Sequence, residues 1–446
     1  METNNQPSSW KVHSYRVGTH FGSFESPPDD AGELRKEIEP WLSAVFQSEH
    51  LSLLLGSGFT TAFAGGGPSM GVTEFSGDDG EKIRKAAESS AESSGRGAPN
   101  FEDFLRVANE LVRGYEILGD ERAKTLETEI DGKLKEFIDS ILGLEQTILK
   151  VFESEDAKSL QTENLLISFL LSFASRAASR ERLNLFTTNY DRLIEHGCDL
   201  AGIRVVDRFV GLLTPVFRAS RLNVDLHYNP PGIRGEPRYL EGVVRLFKLH
   251  GSLDWRQEHS QIKRYAVPFG TQAGHSDIIK KPLRSVMVYP NAAKDMETAE
   301  YPYAELFRDF AAATCRPNSV LVTFGYGFGD DHVNRVIRDM LTIPSTHLVI
   351  ISFDDPGRTE KKVGRIGHFC EETGHGAQGS LLLGPHFGDL HTLVENYLPK
   401  PAIDLISARK TALLKQREID PGQSLVGSSK ADEDSDGGGE RNADTD

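Results

Sequence analysis

LSLLLGSGFTTAF, running from Leu51 to Phe63, decides how the rest of the chain is arranged. Its apolar run (Leu51, Leu53, Leu54, Leu55) suits a strand buried on both faces of a parallel sheet. Gly56-Ser57-Gly58 then permits a sharp turn and a close approach, because neither glycine carries a Cβ. The helix that follows would aim free N–H groups and its positive dipole end at whatever sits there, most often a phosphate. A short Gly-x-Gly turn can also merely cap a strand, so the phosphate reading depends on what the rest of the chain supplies.

The chain has 446 residues, 38% of them hydrophobic, enough for a large core and two lobes. Its net charge is −16, of which −6 lies in the last sixteen residues, Ala431 to Asp446, leaving −10 on the body. An acidic body argues against nonspecific nucleic-acid binding, which needs a cationic surface. An anionic ligand is not thereby excluded, since backbone dipoles act strongly at close range. The three cysteines, Cys198, Cys315 and Cys370, are far apart. That spacing rules out a disulfide framework and a Cys-x-x-Cys zinc site, and it suits a reducing cytosol. METNNQPSSWKV lacks an apolar signal core. The most apolar window, Leu165–Ala174, is broken by Ser168 and Ser172 and reads as a core helix, so no membrane span is expected.

Along the chain, residues 1–30 read as an N-terminal arm that orders only against something else. Leu34, Ile38, Trp41, Leu42, Val45 and Phe46 fall at helical spacing, with a kink expected at Pro40. Residues 64–99, rich in Gly and Ser, read as a flexible insertion. From Asn100, placed as an N-cap, apolar stripes continue through 100–180 and predict an inserted helical lobe. Strands are expected at Leu183–Phe186, Ile203–Val206, Val243–Phe247, Val286–Tyr289, Val320–Phe324, His347–Ser352 and Ser380–Leu383. Helices are expected at Asp191–Ala201, Pro302–Thr314, Asp330–Leu341 and Asp389–Leu398. This alternation predicts an α/β fold: a doubly wound, Rossmann-like parallel sheet made from 31–63 and 181–400, with the lobe inserted. Gly211–Tyr239 and Gln257–Lys281 read as long loops or lids. A C-terminal helix (401–420) and a disordered acidic tail (421–446) complete the chain.

In such a sheet, ligands bind beyond the carboxyl ends of the strands near the switch point. Three further segments sit at predicted strand ends: Thr187-Thr188-Asn189-Tyr190-Asp191, Lys248-Leu249-His250-Gly251-Ser252-Leu253-Asp254-Trp255, and Gly325-Tyr326-Gly327-Phe328-Gly329-Asp330. Each has a plainer alternative. Thr188 or Asn189 can cap a helix, His250 can be a structural histidine, and Gly325 to Gly329 can serve a tight turn closed by Asp330 and Asp331. Caps and ligand contacts are compatible, since both use the same helix N-terminus.

With these four segments together, the chain resembles the sirtuin superfamily over about Leu51–Leu398. Gly56-Ser57-Gly58 matches the first phosphate turn, Thr188-Asn189-Tyr190-Asp191 the ribose and nicotinamide segment, His250-Gly251 the catalytic histidine, and Gly325-Tyr326-Gly327 the second nucleotide turn. Asn100-Phe101-Glu102-Asp103-Phe104-Leu105 is similar to a helix start of the bacterial sirtuin-like branch. The paired zinc cysteines of protein-deacylating sirtuins are missing, so no zinc and no other metal is expected. That resembles the branch that hydrolyses NAD itself in bacterial antiphage defence, often beside a HerA-type ATPase.

The resemblance implies that Asn189 and His250 are the catalytic pair. It also implies that Gly56 to Gly58 hold the pyrophosphate and Gly325 to Gly327 the adenosine side. Ser57, Phe59, Thr188, Asp191, Tyr326 and Asp330 complete the expected nucleotide-binding set, with Asp191 binding the nicotinamide carboxamide or orienting the pocket. The expected activity is NAD+ cleavage to nicotinamide and ADP-ribose, by a cytoplasmic homo-oligomer with NAD as substrate. An NAD-dependent protein deacylase and a noncatalytic NAD or ADP-ribose sensor are the competing readings.

Overall fold

The Leu51–Leu55 run forms β3 (His50–Leu55), and its side chains alternate between the two faces of the sheet. Leu51, Leu53 and Leu55 join one apolar core and Leu54 joins the other, as a period of two requires of a strand covered on both sides. The structure is a computed structural model. It describes residues 12–26, 31–64, 74–93, 99–154, 157–177, 179–220, 225–228, 238–259, 261–276, 278, 302–354, 358–359, 362–363, 365–373 and 377–400. Met1–Pro399 form one unit; of the second, Lys400–Asp446, only Lys400 is described. The expected strand Val286–Tyr289, the helix 401–420 and the tail 421–446 lie outside the described residues.

In chain order the first elements are β1 (His13–Val17), β2 (His20–Phe24), α1 (Gly32–Phe46), β3, α2 (Ser57–Ala64), α3 (Gly77–Ser93), α4 (Phe101–Leu118), α5 (Arg122–Glu153) and α6 (Ala157–Ala174). There follow β4 (Leu183–Thr187), α7 (Leu193–Leu200), β5 (Arg204–Val206), β6 (Phe209–Val210), β7 (Val216–Phe217), β8 (His227–Tyr228), β9 (Arg238–Tyr239) and β10 (Val243–Lys248). Next are β11 (Trp255–Glu258), β12 (Gln261–Arg264), α8 (Tyr303–Thr314), β13 (Ser319–Phe324), α9 (Asp331–Leu341) and β14 (His347–Ser352). The short pair β15 (Arg358–Thr359) and β16 (Lys362–Val363), α10 (Arg365–Thr373) and β17 (Gly379–Leu383) come last before a short helical stretch, Leu390–Thr392, and a π-helical turn, Leu393–Tyr397.

The main sheet has the order β2-β1-β17-β14-β13-β3-β4-β10-β5. From β17 to β5 its neighbours are parallel. The chain builds outward from β3 through β4 toward β5, then returns to β13 and builds the other way, so the order reverses between β3 and β13. One face carries α2, α6 and α7 residues such as Phe59, Phe169 and Leu193. The other carries α8, α9 and α10 residues such as Phe310, Ile337 and Phe369. This is the doubly wound sheet that the strand and helix spacing predicts.

Four expectations need correction. The arm at 1–30 contributes a hairpin: β1 pairs antiparallel with β17, and Tyr15 and Val17 enter the core. Tyr15 also donates to Glu37 across 2.8 Å, a long-range contact that local composition does not reveal. The insertion at 64–99 contains α3, whose Ile83, Ala87 and Ala91 repeat every four residues along one buried stripe. Ile83 and Ala87 join the α4 and α5 residues in the lobe core.

The lobe at 100–180 is divided rather than separate. Phe101 to Leu142 pack with α3, whereas Ile148, Phe152 and α6 belong to the core of the sheet. The two long loops hold a small sheet, β11-β12-β7-β6, seated by the cluster of Phe209, Phe217 and Trp255. Pro40 lies inside α1, which runs unbroken from Gly32 to Phe46.

His347, at the start of β14, lies against the Trp41 ring and within 3.0 Å of Ser380 Oγ. Burial, reinforced by the Arg16 charge, lowers its pKa from 6.5 to about 4. The unfolded chain therefore binds the extra proton between these values, and stability from this group falls as pH drops from 6.5 to about 4. His347→Gln should flatten that limb of a pH–Tm profile, removing a slope of up to about 1.4 kcal/mol per pH unit.

Candidate functional site

Four neighbouring strands end on one row. Phe324 of β13 is in register with Leu55 of β3, Leu55 with Thr187 of β4, and Thr187 with Lys248 of β10. The four sequence segments start on this row or one residue past it, so β pairing alone brings them to one end of the sheet at the order reversal. The ladder continues a step further, with Gly56 N donating to Phe324 O (3.1 Å), Thr188 N to Leu55 O (3.2 Å) and Leu249 N to Thr187 O (2.8 Å).

The two glycine turns meet backbone to backbone. Gly58 N donates to Gly325 O at 3.0 Å, and a methyl on Gly58 would lie 2.7 Å from Gly325 Cα. Gly325 itself has a φ of +61°, which an L side chain rarely adopts. Both turns thus need glycine in order to reach each other.

Asn189 and His250 each stand two residues beyond the registered pair Thr187–Lys248 on adjacent strands. Asn189 is held from three sides. Its N–H donates to Thr187 Oγ1 (3.0 Å), and its Nδ2 donates to Gly56 O (3.0 Å) and Thr60 Oγ1 (2.9 Å). These partners fix the amide orientation and commit its donors, leaving Oδ1 as the group that can accept. The Thr60 hydroxyl in turn donates a hydrogen bond to Asp191 Oδ2 (2.8 Å), while Asp191 Oδ1 accepts from Leu193 N (3.1 Å).

His250 lies between two carboxylates. Glu102 Oε1 is 3.8 Å from Nδ1 and Asp330 Oδ2 is 3.7 Å from Nε2. His250 is 6% exposed, and its Nε2 has no hydrogen-bond partner. Glu102 comes from the lobe, in the first turn of α4, where Asn100 and Asp103 form a reciprocal capping box. Tyr190 donates its hydroxyl to Glu102 across 3.3 Å. Burial, aided by the Glu102 charge, holds that phenol well above its usual pKa, so it stays a donor.

Residues 183–368 match the family model described as the SIR2-like domain. That stretch, under half of the chain, is similar to a SIR2-like domain. β3 and its glycine turn precede the matched stretch, with the lobe between them. Among solved structures, the chain is similar to a triple mutant of a Sir2 homologue in complex with 2'-O-acetyl ADP ribose. The two are 14% identical, with 82% of this chain and 99% of that chain covered and a TM-score of 0.38. No curated protein matches the chain.

The expected site residues divide into two groups. Gly56, Gly58, Gly325, Asn189, Asp191, His250 and Asp330 are joined by the contacts above. Ser57 is exposed and Thr188 half-buried at the same strand ends. Phe59 and Tyr326 point elsewhere. Phe59 is fully buried against Phe63, Phe169 and Phe324, and the Tyr326 ring packs on Phe328 while its hydroxyl donates to Asn334 Oδ1 (3.0 Å). Gly327 is exposed, with nothing within 4 Å of where a Cβ would stand. The N–H groups of Gly56, Gly58 and Phe59 are committed to backbone carbonyls, so the glycine turn does not offer them to a phosphate.

Sequence reasoning missed Thr60 and Glu102 as site residues, and His332 as a neighbour of His250. Glu102 was visible inside the quoted Asn100–Leu105 motif, but its distance from His250 in sequence concealed the contact. The His332 ring centroid lies 6.1 Å from that of His250. The three cysteines are free thiols. No helix among the described residues is long and apolar enough to cross a membrane.

Proposed function

We propose that this protein cleaves the N-glycosidic bond of NAD+ and releases nicotinamide and ADP-ribose. The observation that carries the reading is the placement of Asn189 and His250 on adjacent strand ends, each with one acceptor atom left over. In this reaction the C–N bond breaks and its electron pair neutralises the pyridinium nitrogen, so the leaving group needs no acid. The site must instead stabilise an oxocarbenium-like ribose and take a proton from the attacking water. Asn189 Oδ1 can accept a hydrogen bond from that water or face the developing cation, and His250 Nε2 can accept the proton. Glu102, Asp191 and Asp330 make the surroundings acidic, which favours positive charge in the transition state. With both carboxylate oxygens already accepting hydrogen bonds, from Thr60 Oγ1 and Leu193 N, we assign Asp191 an orienting role through Thr60 rather than a contact to the carboxamide. Ser57, at the exposed first position of α2, is the group we assign to the pyrophosphate.

The resemblance to the NAD-hydrolysing branch extends this reading to NAD+ depletion in antiphage defence, by a cytoplasmic homo-oligomer with a HerA-type ATPase as the partner to test. The test is nicotinamide release by the purified full-length chain given NAD+ alone, then with that partner, and with an acyl-lysine peptide as control. Release without peptide is the expected result. Release only with peptide makes the protein a deacylase, and NAD+ binding without release makes it a sensor. Chromatography of the product separates ADP-ribose from its cyclic form.

A further inference from the structure

We propose that His250, Asp330 and His332 bind a divalent transition-metal ion of the zinc class, and that the bound ion switches nicotinamide release off. The inhibitory half rests on the role assigned to His250 above; the binding half stands without it. One ligand atom from each of the three side chains lies within 4.8 Å of the others. His250 Nε2 is buried without a hydrogen-bond partner, which is uncommon for a polar atom in a folded interior.

The 3.7 Å between Nε2 and Asp330 Oδ2 is too long for a hydrogen bond. It is close to the roughly 3.3 Å that separates two ligands on one tetrahedral zinc ion with bonds near 2.0–2.1 Å. On the far side of the ring, Glu102 Oε1 stands 3.8 Å from Nδ1, near the place where metal-bound histidines commonly find a supporting carboxylate. Tyr190 in turn donates to Glu102. Asp330 precedes α9 and His332 is its second residue, so one helix start supplies two of the three ligands. Two imidazoles and one carboxylate select zinc, cobalt or iron over magnesium or calcium and leave a coordination position open. An ion on Nε2 would occupy the lone pair that otherwise receives the proton from water.

The experiment uses tag-free, metal-stripped full-length protein, titrated with Zn2+ by calorimetry and with Co2+ by visible absorption, alongside nicotinamide release. One ion per chain is expected, with Co2+ bands that disappear in His332→Ala and in the volume-conserving His332→Gln. Glu102→Gln should weaken binding about 10–100-fold. Zn2+ should inhibit the parent protein reversibly on addition of EDTA, whereas both His332 variants should keep basal release and resist inhibition. Absence of stoichiometric binding, binding indifferent to His332, or undiminished release by the zinc-loaded parent would each overturn the proposal. If metal-free protein never releases nicotinamide, the functional reading fails, while His332-dependent Co2+ binding would still support the metal site.

Discussion

His250→Ala protein is expected to release nicotinamide about 10²–10⁴-fold more slowly than the parent, the usual contribution of a positioned acid–base group. Its fold should persist, because the lost ring makes no well-formed hydrogen bond: its nearest charged partners are at 3.7 and 3.8 Å. The same loss of turnover is expected for Asn189→Ala, but with a second consequence. Removing Nδ2 takes one of its two donors from Gly56 O, which keeps Phe59 N, and takes from Thr60 Oγ1 the hydrogen bond it accepts, at a cost of about 0.5–1.5 kcal/mol for each hydrogen bond lost. Thermal unfolding should therefore distinguish the two variants even when their residual rates agree. If both release nicotinamide at the parent rate under activating conditions, the pair is not the catalytic pair.

Glu145→Ala should destabilise the fold by about 3–5 kcal/mol, because it strands Arg192 in the interior. Glu145 on α5 is fully buried and accepts from Arg192 N, Nε and Nη2, and weakly from Gly270 N. Arg192 also donates to the carbonyls of Val267 and Pro268. Burial pushes Glu145 toward its neutral form, and the adjacent guanidinium opposes that shift. The pair thus ties the end of the Asn189–Asp191 segment to the lobe and to the 267–270 loop. Replacing both partners, Glu145→Leu with Arg192→Met, should cost less than either truncation, since no lone charge remains. Denaturant unfolding of the two single variants and the double one provides the comparison. Turnover should fall with stability in the single variants, because Arg192 directly follows Asp191.

The strands nearest the site were legible because their apolar runs are unmistakable. β3, β4, β10 and β13 fall where their leucine, valine and phenylalanine content predicts, and register then aligns their ends. Asn189 and His250 were legible as the polar residues just past those runs. What escaped depends on partners distant in sequence. β1 is a strand because β17 offers it an edge, and α3 packs through small alanines inside a segment whose Gly and Ser content suggests a linker. The aromatic cluster that seats β6 and β7 unites residues on either side of a long connection. The glycines are legible as residues of close approach, and one surface they approach is the other turn. Glu102 and His332 reach His250 from a helix start in the lobe and from one across the order reversal, where no periodicity announces them.

The seam where Gly56 and Gly58 meet Gly325 has no rotamers to freeze, because main chain rests on main chain. A molecule arriving above it meets a floor whose disorder was already spent when the protein folded. The entropic cost of association then falls mainly on the visitor and on the surrounding side chains, which is how a preorganised surface converts modest contacts into affinity.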